Sequence, residues 1–374
     1  MIMPPAVLQV LPALASGGVE RGTIEIAEAI RDAGFRPLVA SAGGALVADL
    51  ERLGVRHVAL PLATKSPVGI WRNAAALTAL ARAEGVRIIH ARSRAPAWSA
   101  LLAARRSGAA FVTTYHGAYN EGLPGKRLYN SVMARGDRVI AISRFIADLV
   151  QARHGVPAER IRLIPRGVDP RRFDPALVDA AAIAAQRAAW GAEPGDAVLL
   201  LPARLTRWKG QAVLLRALPL LPANTRVVLA GGGRDGYLRE LQALAAQLGV
   251  AGRLRILGHV PELALALAAA DVVVHASTDA EAFGRTVIEA QAMARPVIAA
   301  DLGGPRETVD HGVIGWRVTP GDPAALAALL AQVLAMPAEA RQAVGDAARQ
   351  AVLARYSTAA MQAATLAVYR EFLA

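Results

Sequence analysis

The chain has 374 residues, more than one ordinary core needs and enough for two domains. Hydrophobic residues make up 54%, which argues against disorder, and the absence of cysteine excludes disulfides, thiolate metal sites and a cysteine nucleophile. The formal charge of +12 lies mostly in the first half, where residues 1–165 hold 21 Lys and Arg against 11 Asp and Glu, while residues 166–374 hold 21 against 19. A basic half points to an anionic partner, and with aromatics at 5% and no recognition motif that partner is not nucleic acid.

The opening MIMPPAVLQVLPAL lacks the basic start of a signal peptide and reads as a first buried strand over 7–11. No run of about 18 uncharged apolar residues occurs, so a spanning helix is not expected. The loop Pro12 to Gly18 and a helical pattern from Val19 to Ala33 follow. Apolar runs then recur at Leu38–Ala40, Val86–Ile89, Phe111–Thr114, Val139–Ile142 and Ile161–Ile164. Between them lie helical stretches at 45–53, 69–84, 95–107, 126–135 and 143–153. Strands alternating with helices predict a mostly parallel sheet covered on both faces, an α/β fold.

Three features of this half carry chemistry. Ser16-Gly17-Gly18-Val19-Glu20 joins a strand to a helix, where glycines allow close backbone approach and a helix N-terminus offers N–H groups to an anion. It serves equally well as a plain turn, and it lacks the spacing of the dinucleotide fingerprint. His116, in Tyr115-His116-Gly117, stands at a strand's C-terminal end, where active sites form. Arg92 and Arg94, in His90-Ala91-Arg92-Ser93-Arg94, are placed to clamp a phosphate or carboxylate, or to sit on a solvated loop.

Pro165 to Phe173, with two prolines and a glycine, reads as a hinge carrying Arg166. A helix over 175–189 leads to a strand at Ala197–Leu201, and then to Pro202-Ala203-Arg204-Leu205-Thr206-Arg207-Trp208-Lys209-Gly210 before a helix from Gln211 to about Leu221. Arg204 and Lys209 before a helix N-terminus suit a diphosphate. The strand Val227–Ala230 runs into Gly231-Gly232-Gly233, and Arg253–Gly258 forms another strand with His259-Val260 as its exit. Leu263–Ala270 is helical and Asp271–Val274 returns to the sheet.

Glu281 and Glu289 then stand eight residues apart, the first in a turn and the second on a helix from about Arg285, before the strand Pro296–Ala300. Two acids in one cleft suit a hydrolase, yet a helical Glu289 is better placed to accept hydrogen bonds from vicinal hydroxyls. No Asp-x-Asp occurs, so a phosphate-chelating metal site is not expected. Three tail helices, Pro323–Leu334, Ala338–Arg355 and Thr358–Phe372, read as core elements rather than membrane anchors.

Together SGGVE, YHG, AISRF, IPRGVD, ARLTRWKG and EAFGRTVIE, the last continuing into EAQAMARPVIAADLGGPRE, resemble in that order the family 4 retaining glycosyltransferases of the GT-B fold. The resemblance implies two Rossmann-like doubly wound domains facing across a cleft. Residues 1–170 would bind the acceptor, residues 171–356 the nucleotide-sugar, and residues 357–374 would pack a last helix back on the first domain. It implies that Glu281 bonds the donor sugar and Glu289 the ribose, with Phe283, Gly284, Arg285, Thr286 and Val287 reaching sugar and phosphates through their backbone. Arg204 and Lys209 would neutralise the leaving diphosphate, His116 would lie near the reacting carbon, and Gly17 and Gly18 would approach from the acceptor side. Gly232, Gly258 and Val260 complete the expected nucleotide-sugar set, and Glu20, Arg92, Arg94 and Arg166 are the acceptor-side candidates. The family often has asparagine where Arg166 stands.

The implied reaction moves a sugar from a UDP- or GDP-sugar to a glycan or glycolipid hydroxyl by front-face substitution, without metal or other cofactor. An epimerase or hydrolase on the same fold, or a non-catalytic binding protein, is the alternative. The stretch HGAYNEGLPGKRLYNSVMARGDRVIAISRFI further resembles enzymes of lipopolysaccharide core and envelope-glycan synthesis. That resemblance implies a cytoplasmic enzyme, peripheral on the inner membrane through its basic half.

Overall fold

Short runs rich in Val, Ile, Leu and Ala supply most strands of two parallel sheets. The computed structural model describes residues 4–15 and 17–373, so Ser16 of the first glycine loop lies outside the described residues. The chain divides into two compact units, one running to Arg166 and resuming at Thr358, the other spanning Gly167–Ser357.

The first unit holds β1 (Ala6–Val10), β2 (Arg36–Ser41), β3 (Arg56–Ala59), β4 (Val86–Ala91), β5 (Ala110–Tyr115), β6 (Arg138–Ala141) and β7 (Ile161–Leu163). Its helices are α1 (Gly18–Asp32), α2 (Val47–Arg52), α3 (Pro67–Ala83), α4 (Arg94–Ser107), α5 (Lys126–Ser131) and α6 (Arg144–His154). The strands join in the order β3-β2-β1-β4-β5-β6-β7, each pair parallel. β1 is buried along its whole length, as a central parallel strand must be.

In the second unit the strands are β8 (Ala197–Pro202), β9 (Thr225–Ala230), β10 (Leu254–Leu257), β11 (Val272–His275), β12 (Val297–Ala300) and β13 (Trp316–Val318). They join in the order β10-β9-β8-β11-β12-β13, again all parallel. Helices α7 (Ala180–Ala189), α8 (Gln211–Ala217), α9 (Asp235–Gln247), α10 (Leu263–Ala268), α11 (Arg285–Ala292), α12 (Pro305–Thr308), α13 (Pro323–Leu334) and α14 (Ala338–Arg355) accompany them. Among the described residues no single helix is long and apolar enough to cross a membrane, although α13 and α14, bent by 108°, pass that test as a pair. Leu326, Ala327, Leu330 and Val333 of α13 are buried in this unit's core.

The last helix, α15 (Thr358–Leu373), belongs to the first unit. Its Met361, Val368 and Tyr369 join Val7, Ile26, Ile88, Val112 and Ile140 in one core cluster. Gln362 donates to the Glu25 carbonyl of α1 at 2.7 Å.

Strand order reverses between β1 and β4 in the first unit and between β8 and β11 in the second, and ligands of open α/β sheets bind beyond the strand ends at such points. The loops that follow those four strands carry Gly17–Gly18, Arg92, Arg204–Lys209 and Glu281.

Four elements were not expected from sequence, one of them the short α12. β3 and β13 are edge strands, four and three residues long, with Arg56 and Arg317 in place of continuous apolar runs. α9 carries a readable helical row, in which Tyr237, Leu238, Leu241, Leu244 and Ala245 pack on the core. Over 175–189 the predicted helix begins late. Asp174 caps a short 3-10 turn by accepting from Ala176 N–H at 3.1 Å, and α7 starts at Ala180.

Candidate functional site

In the second unit, two loops meet at the strand-order reversal. After β8 the chain passes Arg204 and makes a turn over Arg207–Lys209. It reaches α8 through Gly210, whose φ of +76° is left-handed and whose added Cβ would overlap the Ala276 carbonyl. Only glycine satisfies both demands. The two loops are stitched by Thr278 N–H donating to the Trp208 carbonyl at 2.8 Å.

That crossing brings Lys209 to Glu281. Lys209 Nζ pairs with Glu281 Oε1, and the same oxygen is reached by His275 Nε2 at 2.6 Å and by Ser277 Oγ at 2.6 Å. Lys209 also lies over the Trp208 ring, 4.4 Å from its centroid. Burial by itself raises the Glu281 pKa, but His275 and Lys209 outweigh it and hold the carboxyl well below the usual carboxylate range. Glu281 is therefore an ionised acceptor at neutral pH, not a general acid. Its backbone is fixed too, since Gly304 N–H donates to the Glu281 carbonyl at 2.8 Å and Glu281 bridges Gly303.

α11 starts from Gly284 and carries Glu289 one turn into the helix, 7% exposed, with Arg285 Nε donating to its Oε1 at 2.9 Å. Phe283 and Val287 are buried, and Arg285 and Thr286 are half-buried. Glu281 and Glu289 thus flank the start of α11, and the first N–H groups of a helix suit an anion.

Arg204 is exposed and makes no side-chain hydrogen bond or ion pair among the described residues, while Gln211 donates to its carbonyl at 2.9 Å. Gly232 is exposed and accepts from Leu205 N–H at 2.9 Å, which lays the glycine triplet along the Arg204 loop. Gly258 and Val260 follow β10, exposed and half-buried, and no described contact ties them to Glu281. Among the described residues no three His, Asp or Glu side chains gather as a metal site.

In the first unit, Gly17 and Gly18 open α1 at an exposed position. The Arg166 guanidinium donates to the Gly18 carbonyl and lies where a Cβ on Gly22 would stand. Arg92 is 2% exposed, donates from Nη1 to Gln9 Oε1 at 3.2 Å, and its Nε has no partner. Arg92 and Arg166 line a pocket with Thr114, Ile140, Met361 and Thr365. Burial, then the charges of Arg166 and Arg92, push the His116 pKa well below its ordinary value, so His116 is neutral. Its Nε2 is buried without a partner among the described residues.

Glu20 folds back over Gly17, close to where a Cβ there would stand. Arg94 is otherwise engaged. It donates to Asn130 Oδ1 at 2.8 Å and stacks 4.0 Å above the Tyr119 ring. The structure therefore groups Arg92, His116 and Arg166, and separately Lys209 and Glu281. His275 and Ser277 were not singled out from sequence. The signal was available as a histidine and a serine two residues apart at the strand end just before Glu281.

The group 1 glycosyl transferase profile matches residues 182–351, and the glycosyltransferase family 4 profile matches residues 16–172. A glycosyltransferase from Rickettsia africae ESF-5 superposes with a TM-score of 0.90 at 34% identity, covering 99% of each chain. Anabaena HepE in complex with UDP and glucose superposes with a TM-score of 0.88 at 25% identity, over 98% of this chain and 100% of HepE. The D-inositol 3-phosphate glycosyltransferase of Xylanimonas cellulosilytica is 38% identical over 247 residues, which is 64% of this chain and 58% of that protein. This chain spans less than two thirds of the length of such curated relatives. It belongs to the family 4, group 1, glycosyltransferases of the GT-B fold.

Proposed function

We propose that the protein transfers a sugar from a nucleotide-sugar to the hydroxyl of a glycan or glycolipid acceptor, with retention at the anomeric carbon. The ionised Glu281, clamped beside Lys209 at the reversal between β8 and β11, is the observation that carries this reading. Glu281 accepts from donor-sugar hydroxyls and Glu289 from the ribose. Arg204, Lys209 and the α11 N-terminus oppose the charge of the leaving diphosphate, with no metal required. The acceptor oxygen bonds to the anomeric carbon on the face from which the diphosphate departs, and the diphosphate takes the hydroxyl proton. An epimerase or hydrolase that used Glu281 as a general acid is opposed by its lowered pKa. The domain roles follow. The second unit takes the donor, and the first, with Gly17, Gly18, Arg92, His116 and Arg166, takes the acceptor.

A UDP-sugar is the favoured donor, because HepE binds UDP and glucose. The acceptor belongs to lipopolysaccharide core or another envelope glycan, at the cytoplasmic face of the inner membrane. The excess of Lys and Arg in residues 1–165 supports that placement. A phosphorylated polyol is a second acceptor class, favoured by the buried Arg92 and Arg166 and by the D-inositol 3-phosphate glycosyltransferases among the relatives.

A thermal-shift panel of UDP- and GDP-sugars tests the donor. A true donor at one hundred times its dissociation constant adds about 2.7 kcal/mol of stability. No shift with any nucleotide-sugar defeats the reading. Co-sedimentation with anionic vesicles at low and high salt tests the membrane placement, and equal sedimentation with neutral vesicles defeats it.

A further inference from the structure

The two oxygens of Glu281 are treated unequally. Lys209 Nζ, His275 Nε2 and Ser277 Oγ all meet Oε1, whereas Oε2 accepts no hydrogen bond among the described residues. Three donors crowd one oxygen and fix the plane of the carboxylate. His275 and Ser277 are 6% and 1% exposed, so they act on Glu281 from behind rather than on a ligand. His275 Nδ1 is buried with no partner among the described residues.

We infer that His275 and Ser277 are positioning residues that hold Glu281 Oε1, so that Oε2 is the oxygen presented to a hydroxyl of the donor sugar. The inference rests on the nucleotide-sugar reading of this site. Its physical basis is a conflict over Lys209, which holds Glu281 here and, with Arg204, is proposed to meet an incoming diphosphate. When phosphate draws Lys209 away, a half-buried carboxylate loses its counter-charge and is free to turn about its last torsion. The donors from His275 and Ser277 remain in place and keep it aimed.

Calorimetry on the full chain separates these roles. The probes are UDP against UDP-glucose, and GDP against GDP-mannose, and the affinity ratio within a pair reports what the sugar contributes. Ser277→Ala and His275→Ala should each lower the wild-type ratio by about tenfold while leaving nucleotide affinity within about twofold. His275→Gln, which keeps an N–H donor in that place, should restore most of the ratio. An unchanged ratio in both alanine variants, equal loss of nucleotide and nucleotide-sugar binding, or a wild-type ratio of one in both pairs overturns the inference. If His275→Ala fails to fold, the nearly isosteric Ser277→Ala decides alone. A wild type that binds neither nucleotide pair removes the donor reading first and this inference with it.

Discussion

The loops at the two strand-order reversals are built by different means. Around Glu281 backbone lies on backbone, with Gly210 against the Ala276 carbonyl and Gly303 against the Glu281 carbonyl, and one ionised carboxylate set among fixed donors. At the reversal in the first unit the contacts come from side chains reaching in from distant segments. Arg166 comes from beyond β7, Arg92 from beyond β4, and Tyr369 from α15 meets His90 Nδ1 at 2.6 Å. The first construction holds a fixed shape. The second depends on single side chains, as Arg166 at the Gly18 carbonyl illustrates.

The largest effect should come from breaking the fixed side. Glu281→Ala or Lys209→Ala is expected to reduce sugar transfer by about a thousandfold with the circular-dichroism spectrum retained. Wild-type turnover in both variants would show that the cluster is only a structural ion pair. Gly210→Ala places a side chain in left-handed backbone and against a carbonyl, and should cost about 3 kcal/mol in urea unfolding. A loss under about 1 kcal/mol would mean that the crossing is not rigid.

Acid should separate the two units next. In the first unit burial holds His90 and His116 neutral, their pKa values well below 6.5. The unfolded chain binds protons at these sites below pH 6.5 and the folded chain does not, so stability is full above 6.5 and falls as pH drops. The slope is up to about 1.4 kcal/mol per pH unit for each histidine. Glu281 in the second unit has a lowered pKa, so its contribution is full above 4.5 and is lost only on further acidification. Hydrogen exchange resolved by peptide, between pH 7 and 5.5, should show the first unit loosening before the second. The reverse order would contradict the comparison. The smallest effect belongs to Gly22→Ala, since the Cβ meets the movable end of Arg166 and alanine favours the helix. Its net change should stay within about 1 kcal/mol by the same unfolding assay.

Much of this could be read in the residues. Central strands such as AVLQV and AVLLLP are buried on both faces and so are continuously apolar. The edge strand RHVA is half solvated, and WRV is only three residues long with an arginine at its centre, so both look like loop. The eight-residue interval from Glu281 to Glu289 identifies a loop acid and a helix acid without coordinates. What the interval cannot convey is aim. His275 and Ser277 converge on one oxygen only because an irregular turn brings Glu281 back over the end of β11. Arg94 shows the opposite case, a plausible anion clamp committed instead to Asn130 and Tyr119.

The place of α15 in the first unit bears on how the protein is made. Synthesis from the N-terminus delivers all of Gly167–Ser357 before Thr358 emerges, so the unit begun first is finished last. Until then the buried faces of Val7, Ile88 and Val112 lack Val368 and Tyr369, and His90 lacks its tyrosine partner. The second unit can collapse on the ribosome as a contiguous segment, whereas the first must wait with apolar surface uncovered. Chaperone dependence and aggregation during expression should therefore trace to the first unit, and a stop codon placed just before Thr358 should harm it far more than the second.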